Sequence, residues 1–137
     1  MTPPSSRSNM PGHFGIRIVS ADKDKVVGEI DADERHLNGR GIVHGGAMMA
    51  FADDLGGVTA GLNIAPDMST TTIESKSNFF HACAPGRVTG VAVPVHVGRR
   101  TIVVQTQIFG ADGKLAAMVT QTQLVIPRAQ RQQTTGK

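Results

Sequence analysis

Residues 36 to 62, HLNGRGIVHGGAMMAFADDLGGVTAGL, constrain the fold more than any other stretch, because there a glycine-broken polar loop runs into the one long segment able to form a buried helix. From Gly46 to Leu62 nearly every non-glycine residue is apolar or small, with Ala and Met on all sides, which is the pattern of a helix covered all round. Asp53 and Asp54 interrupt it. An ionised carboxylate in such a helix is costly unless it is paired, hydrogen-bonded or turned to a wet cleft, so at least one of the two acids needs a reason to be there.

A helix of this kind needs a sheet to lie against, and the remaining sequence supplies strands. Phe14 to Ser20 and Lys25 to Asp31 alternate and flank the turn-prone ADKD, which predicts a hairpin. Asn63 to Ser69, with Pro66 and Asp67, reads as a loop. Thr70 to Phe80 is rich in β-branched and aromatic residues and closes on the turn APGR, Ala84 to Arg87. Val88 to Val97 puts Val91, Val93, Val95 and Val97 on one face, and its Pro94 calls for an edge or a bulge. After a turn at Gly98 and Arg99, Thr101 to Phe109 and Leu115 to Ile126 flank ADGK as antiparallel neighbours. The expected class is α+β, an antiparallel sheet with one buried helix. In a domain this small the sheet must curl about the helix and a second subunit must close the rest, so packing alone predicts an oligomer.

With 137 residues there is room for one domain. The division expected is a tail at 1–13, a domain at 14–126 and a second tail at 127–137, both tails being polar and aperiodic. Trp and Tyr are absent, leaving little to stack on bases. The net charge of +3 is a tail effect: Arg7, Arg128, Arg131 and Lys137 lie outside the body, which keeps ten basic groups against all eleven acids. No nucleic-acid partner is therefore expected. Cys83 stands alone, so nothing argues for an oxidising compartment, and no apolar run approaches the ~18 residues of a membrane span. The expectation is a cytoplasmic protein without a membrane partner.

Chemistry concentrates at Asn38, His44, Gly45, Gly46 and Asp53. The first N–H groups of a helix have no partner within it, and glycines there let a ligand approach, so the start of this helix can cradle an anion or a polarised carbonyl oxygen. Asp53 shares a face with Gly46, Met49 and Gly57, while Asp54 is turned about 100° away toward Ala47, Ala50 and Val58. The bland alternative is a glycine-rich helix start in which His44 only caps or hydrogen-bonds a loop and either Asp pairs with an Arg. Five scattered histidines and one Cys make no ligand cluster, so no metal and no cofactor are expected.

The string from His36 to Asp54, H-L-N-G-R-G-I-V-H-G-G-A-M-M-A-F-A-D-D, is followed by T-I-E-S-K-S-N-F-F-H-A-C-A-P-G, V-G-R-R-T and D-G-K-L-A-A. Together they resemble the hotdog-fold acyl-CoA thioesterases of the phenylacetate-pathway type, in the 4-hydroxybenzoyl-CoA thioesterase superfamily, over roughly residues 14 to 126. The resemblance implies a curved antiparallel sheet wrapped around one long central helix, and homodimers assembled into homotetramers with active sites at the dimer interface. It implies Asp53 as the catalytic carboxylate, the Gly45 N–H as the oxyanion donor, Asn38 as the orienting amide, His44 as the motif histidine and Thr72 as a hydroxyl that helps hold water. Gly46 with Arg99 and Arg100 would bind coenzyme A, which is part of the substrate, although a solvated turn accounts equally well for the two arginines. Ser75 and Ser77 depart from the apolar residues relatives carry toward the helix, so either the register shifts or that face is polar. The implied reaction is hydrolysis of an acyl or aryl-acyl thioester to the acid and free coenzyme A. A hydratase or dehydratase of the same fold, or a non-catalytic acyl-CoA-binding dimer, are the rival readings.

Overall fold

The structure, a computed structural model, describes residues 8 to 129. Expectations for residues 1–7 and 130–137 lie outside the described residues. A short helix α1 (Met10–Phe14) leads into β1 (Arg17–Ala21) and β2 (Val26–Ala32). A 3-10 turn at Glu34–His36 and a loop precede the long helix α2 (Gly45–Gly61), and β3 (Met68–Phe79), β4 (Gly86–Val97), β5 (Thr101–Phe109) and β6 (Leu115–Pro127) follow.

All six strands form one antiparallel sheet in the order β1-β2-β4-β5-β6-β3. The order explains the helix: α2 leaves near β2 and must deliver the chain to β3 at the opposite edge, so it crosses the inner face and touches all six strands. Phe51 and Leu55 enter the core from α2 and meet Ile30, Val88, Ile102, Val104, Ile108 and Val119 from the sheet. Burying side chains of this size contributes about 1.5–3 kcal/mol each. Close approach depends on Gly90, where an added Cβ would sit 2.5 Å from Leu55 Cδ1 and 3.0 Å from Phe51 Cε2.

The N-terminal expectations need correction. Phe14 ends a helical turn with Pro11 in its first turn and Gly15 at φ 74° behind it, so the first strand begins only at Arg17 and the tail assigned to 1–13 contains helix from Met10. Proline's fixed φ near −65° suits a first helical turn, and glycine takes the left-handed residue that ends it. The valine stripe of β4 also turns out differently: Val88, Gly90 and Ala92 are buried under the helix, whereas Val91 and Val93 face away from it. Pro94 lies where both expectations hold, because β2 stops pairing at Ala92 and the β4–β5 register shifts between Pro94 and His96. There the missing N–H costs no ladder bond.

Within the chain α2 is not covered all round. Gly46, Met49 and Asp53 are exposed along one face, Met49 by 40%. β3 is an edge strand, and its Ser75 and Ser77 are paired across to the inward residues Gln121 and Val119. The register does shift, between Thr72 and Glu74, and the inward face is polar as well. Glu74 and Lys76 fall on the outward side, opposite Thr122 and Thr120. Among the described residues no helix is long and apolar enough to cross a membrane.

Candidate active site

The loop before α2 is built by its own side chains. Asn38 accepts the Arg40 N–H at 2.9 Å and the Ile42 N–H at 3.4 Å on its Oδ1, and its own N–H donates to the Ile42 carbonyl at 2.8 Å. Gly41, at φ 76°, takes the left-handed conformation that closes the turn. Because Oδ1 is engaged by the loop, the side-chain NH2 of Asn38 is the half left to meet a ligand.

His36 carries this loop from below. Fully buried, it donates from Nε2 to the Phe14 carbonyl at 2.8 Å, accepts the Asp33 N–H on Nδ1 at 3.0 Å, and offers its own carbonyl to the His44 N–H at 2.7 Å. The Phe14 ring meets the imidazole edge-on at 5.0 Å. One residue thus ties the α1 turn and the 3-10 turn together through its ring and the start of α2 through its carbonyl. Sequence reasoning gave His36 no role; its place at the head of the polar loop was the available signal.

At the helix start, His44 is the N-cap: its Nδ1 accepts the Gly46 N–H at 2.8 Å, and its carbonyl accepts from Ala47 at 2.9 Å and Met48 at 3.1 Å. A nitrogen that accepts carries no proton, so the ring proton is on Nε2. Among the described residues nothing accepts from the Gly45 N–H, which leaves it as the open donor of the first turn. A hollow of about 410 Å³ begins there, lined by Gly45, Asn38, Arg40, Ile42, Met48 and Phe79. The Phe79 ring covers Gly45 so closely that an added Cβ would lie 3.2 Å from Cζ.

The other expected residues are not in that hollow. Asp53 is exposed on the open face of α2, eight residues beyond Gly45, hence about 12 Å along the axis at 1.5 Å per residue. Asp54 is half-buried on the neighbouring face, as the helical spacing requires. Thr72, on the inward side of β3, accepts from Gln123 Nε2 at 2.7 Å. Arg99 lines a separate hollow of about 360 Å³ past the other end of α2, with Asn63, Ile64 and Asp67, and Arg100 is exposed at the same turn. One chain therefore assembles Asn38, His44, Gly45 and Gly46, and holds Asp53, Thr72 and the two arginines apart from them.

Two buried glutamines connect part of this layout. Gln121 Nε2 donates to the Ala52 carbonyl at 3.2 Å, and Gln123 Nε2 donates both to Gln121 Oε1 and to Thr72. The network runs from β3 to the helix residue immediately before Asp53. Gly56 makes room for it, since a Cβ there would collide with the Gln121 amide. Gln121 and Gln123 stand in phase with the inward Ala117 and Val119, a signal visible in the sequence and not used. Cys83 is buried, and burial first and Asp112 second push its thiol above the usual range, which argues against a thiolate nucleophile. Among the described residues no group of three or more His, Cys, Asp or Glu side chains could hold a metal ion.

Residues 40–117 match the sequence profile of the thioesterase superfamily. The chain is 32% identical over 107 residues to the 1,4-dihydroxy-2-naphthoyl-CoA hydrolase of Escherichia coli, covering 78% of this chain and 79% of that protein. To the enzyme of the same name from Listeria monocytogenes it is 31% identical over 102 residues, 74% of this chain and 83% of the relative. Among solved structures, a thioesterase from Haemophilus influenzae superposes with a TM-score of 0.84 at 26% identity, over 90% of this chain and 87% of the other.

Proposed function

The chain belongs to the thioesterase superfamily, with its hotdog fold, and on that premise we propose that it hydrolyses an acyl or aryl-acyl coenzyme A thioester to the carboxylic acid and free coenzyme A. The observation that carries the reading is the Gly45 N–H, left open at the mouth of a mostly apolar hollow by a His44 cap that consumes its neighbour. Thioester hydrolysis needs a donor where the carbonyl oxygen becomes negative and a base or nucleophile at the carbonyl carbon. Gly45 supplies the donor, worth about 3 kcal/mol by the usual magnitude for one oxyanion contact. The Asn38 NH2 orients the same carbonyl. His44 offers no free basic nitrogen, which disfavours a hydratase built on an imidazole base.

Asp53 supplies the carboxylate, and supplies it to the hollow of a second copy. Some 12 Å of helix separates it from Gly45 of its own chain, too far for both to reach one carbonyl, and the open face of α2 with the β3 edge is the surface a partner would cover. Thr72, steadied by Gln123, lies on that edge strand and is assigned to hold the attacking water. Whether Asp53 takes a proton from that water or attacks directly, the carbonyl carbon gains an oxygen, the C–S bond breaks, and coenzyme A leaves as the thiol. Arg99, Arg100 and the exposed Gly46 are assigned to the coenzyme A portion, and dimers pair further into tetramers in the cytoplasm. Turnover of a panel from acetyl to long-chain and aryl-acyl thioesters, followed by free thiol release, tests the activity; no release from any member would refute it.

A further inference from the structure

The hollow at the start of α2 has an apolar wall and a single formal cation. Ile42, Val43, Met48, Phe79, Phe80 and Ala82 line it, Arg40 stands at its side, and among the described residues of the same chain no carboxylate lines it, so the one acid assigned to this hollow is the catalytic Asp53 of a second copy. The adjoining hollow, which shares Phe80 and His81, adds Lys114 and again no acid. Resting on the thioesterase reading, we propose that this site selects acyl groups ending in a carboxylate, and that Arg40 is the residue that reads it.

Arg40 differs from the arginines that hold the fold. Arg17, Arg35 and Arg87 each pair with an acid, between 2.9 and 3.7 Å, while among the described residues no acid pairs with the Arg40 guanidinium. Its backbone N–H is pinned to Asn38, so the base of the side chain is fixed relative to the amide that orients the carbonyl. Gly39 and Gly41 on either side meet nothing within 4 Å of an added Cβ, which leaves the guanidinium space to swing over the hollow. A planar fork of donors beside an apolar wall matches a carboxylate on the end of an apolar acyl chain.

The phosphates of coenzyme A fit this position less well. From the thioester sulfur to the first phosphate the pantetheine arm has more than ten bonds, roughly 15 Å extended at about 1.2 Å of reach per bond. Arg40 and Gly45 line one hollow, and the Arg40 backbone is pinned to the Asn38 amide that orients the carbonyl, which ties its guanidinium to the acyl side of the site.

The test compares hexanoyl-CoA with 5-carboxypentanoyl-CoA, which differ in a terminal carboxylate. The protein should favour the carboxylated thioester in kcat/KM by about tenfold or more, the size of one charge-assisted contact. Arg40→Gln should cut that ratio at least about fivefold, with Arg40→Lys in between. No preference in the parent protein, or an equal loss on both thioesters in Arg40→Gln, overturns the proposal. So does an Arg40→Gln effect that vanishes with pantetheine thioesters, because it would assign Arg40 to the phosphates. Titration of adipate against hexanoate by NMR, with the parent and Arg40→Gln, decides the point even if no thioester is hydrolysed: adipate selectivity that depends on Arg40 upholds the proposal while the hydrolase reading falls, and its absence overturns it.

Discussion

The imidazole of His44 accepts the Gly46 N–H at 2.8 Å, and by doing so leaves the Gly45 N–H as the donor facing the hollow. A histidine N-cap is unusual, since Asn, Asp and Ser do the same with less side chain. His44→Asn should therefore keep stability within about 0.5 kcal/mol and retain most of the turnover, whereas His44→Ala should cost about 1 kcal/mol. Denaturant unfolding and thiol release measure the two effects. A well-folded but inactive His44→Asn would make the histidine a proton donor from Nε2 instead of a cap.

Gly56 and Gly57 are neighbours with opposite surroundings. A methyl at Gly56 would strike the Gln121 amide and break its bond to the Ala52 carbonyl, so Gly56→Ala should destabilise by about 1–3 kcal/mol despite better helix propensity. Gly57→Ala meets nothing within 4 Å among the described residues. In the proposed dimer any loss it causes should arise between subunits and appear as unfolding that depends on protein concentration.

The carboxyl of Asp31 is held below its usual value of 3.8, first by the hydrogen bond from Arg17 and then by that from Arg87. A depressed folded-state pKa adds stability above the unfolded value and loses it as pH falls through and below about 3.8. The same pairing raises Arg17, which stays charged throughout the acid and neutral range, so protonation of Asp31 is what ends the pair. Asp31→Asn should flatten the acid limb by lowering stability at pH 5 and 7 while leaving pH 3 nearly unchanged, and only slightly, because the pair is exposed and screened by water. Thermal melts at pH 3, 5 and 7 in low and high salt are the measurement.

Arg99 stands past the far end of α2, beside Asn63, Ile64 and Asp67, and the exposed Arg100 follows it at the same turn. If they hold the nucleotide of coenzyme A, replacing both with Ala should raise KM for coenzyme A thioesters severalfold and spare pantetheine thioesters that lack the phosphates. Equal effects on both substrates would assign the pair to a solvated turn.

Much of this was legible in the sequence because its signals are local. The ADGK and ADKD turns set their hairpins, and the HGG run marked the helix start within one residue. The open stripe at Gly46, Met49 and Asp53 follows the predicted spacing, although a helix apolar on every side gave no hint of which side one chain leaves bare. Long-range matters were hidden. The β4 valines look like a core face, yet the helix packs so tightly that Gly90 and Ala92 are needed beneath it. His36 reads as one more loop polar residue until the fold brings the Phe14 carbonyl to its Nε2. Gln121 and Gln123 look misplaced in an inward stripe until Thr72 and the Ala52 carbonyl supply their partners.

The position of Asp53 yields the strictest test, because it separates a site made by one chain from a site made by two. Asp53→Asn keeps size and polarity and removes the charge, so a positioned base or nucleophile should lose about 10² to 10⁴ in kcat with the fold intact; Asp54→Asn, on the adjoining helical face, should lose less than about tenfold. Asn38→Ala should also cripple turnover, through the carbonyl it orients. In the proposed two-fold dimer each site would take Asn38 from one chain and Asp53 from the other. Co-refolding equal amounts of Asn38→Ala and Asp53→Asn then yields mixed dimers in which one site carries both defects and the other carries neither. Half the dimers are mixed and half of their sites are whole, so about a quarter of parental activity should return from two nearly inactive proteins. A site contained in one chain would give no such recovery, because every chain in the mixture is defective. Activity of the mixture no higher than the mean of its two components, with both variants folded by circular dichroism and dimeric by light scattering, would place the carboxylate elsewhere.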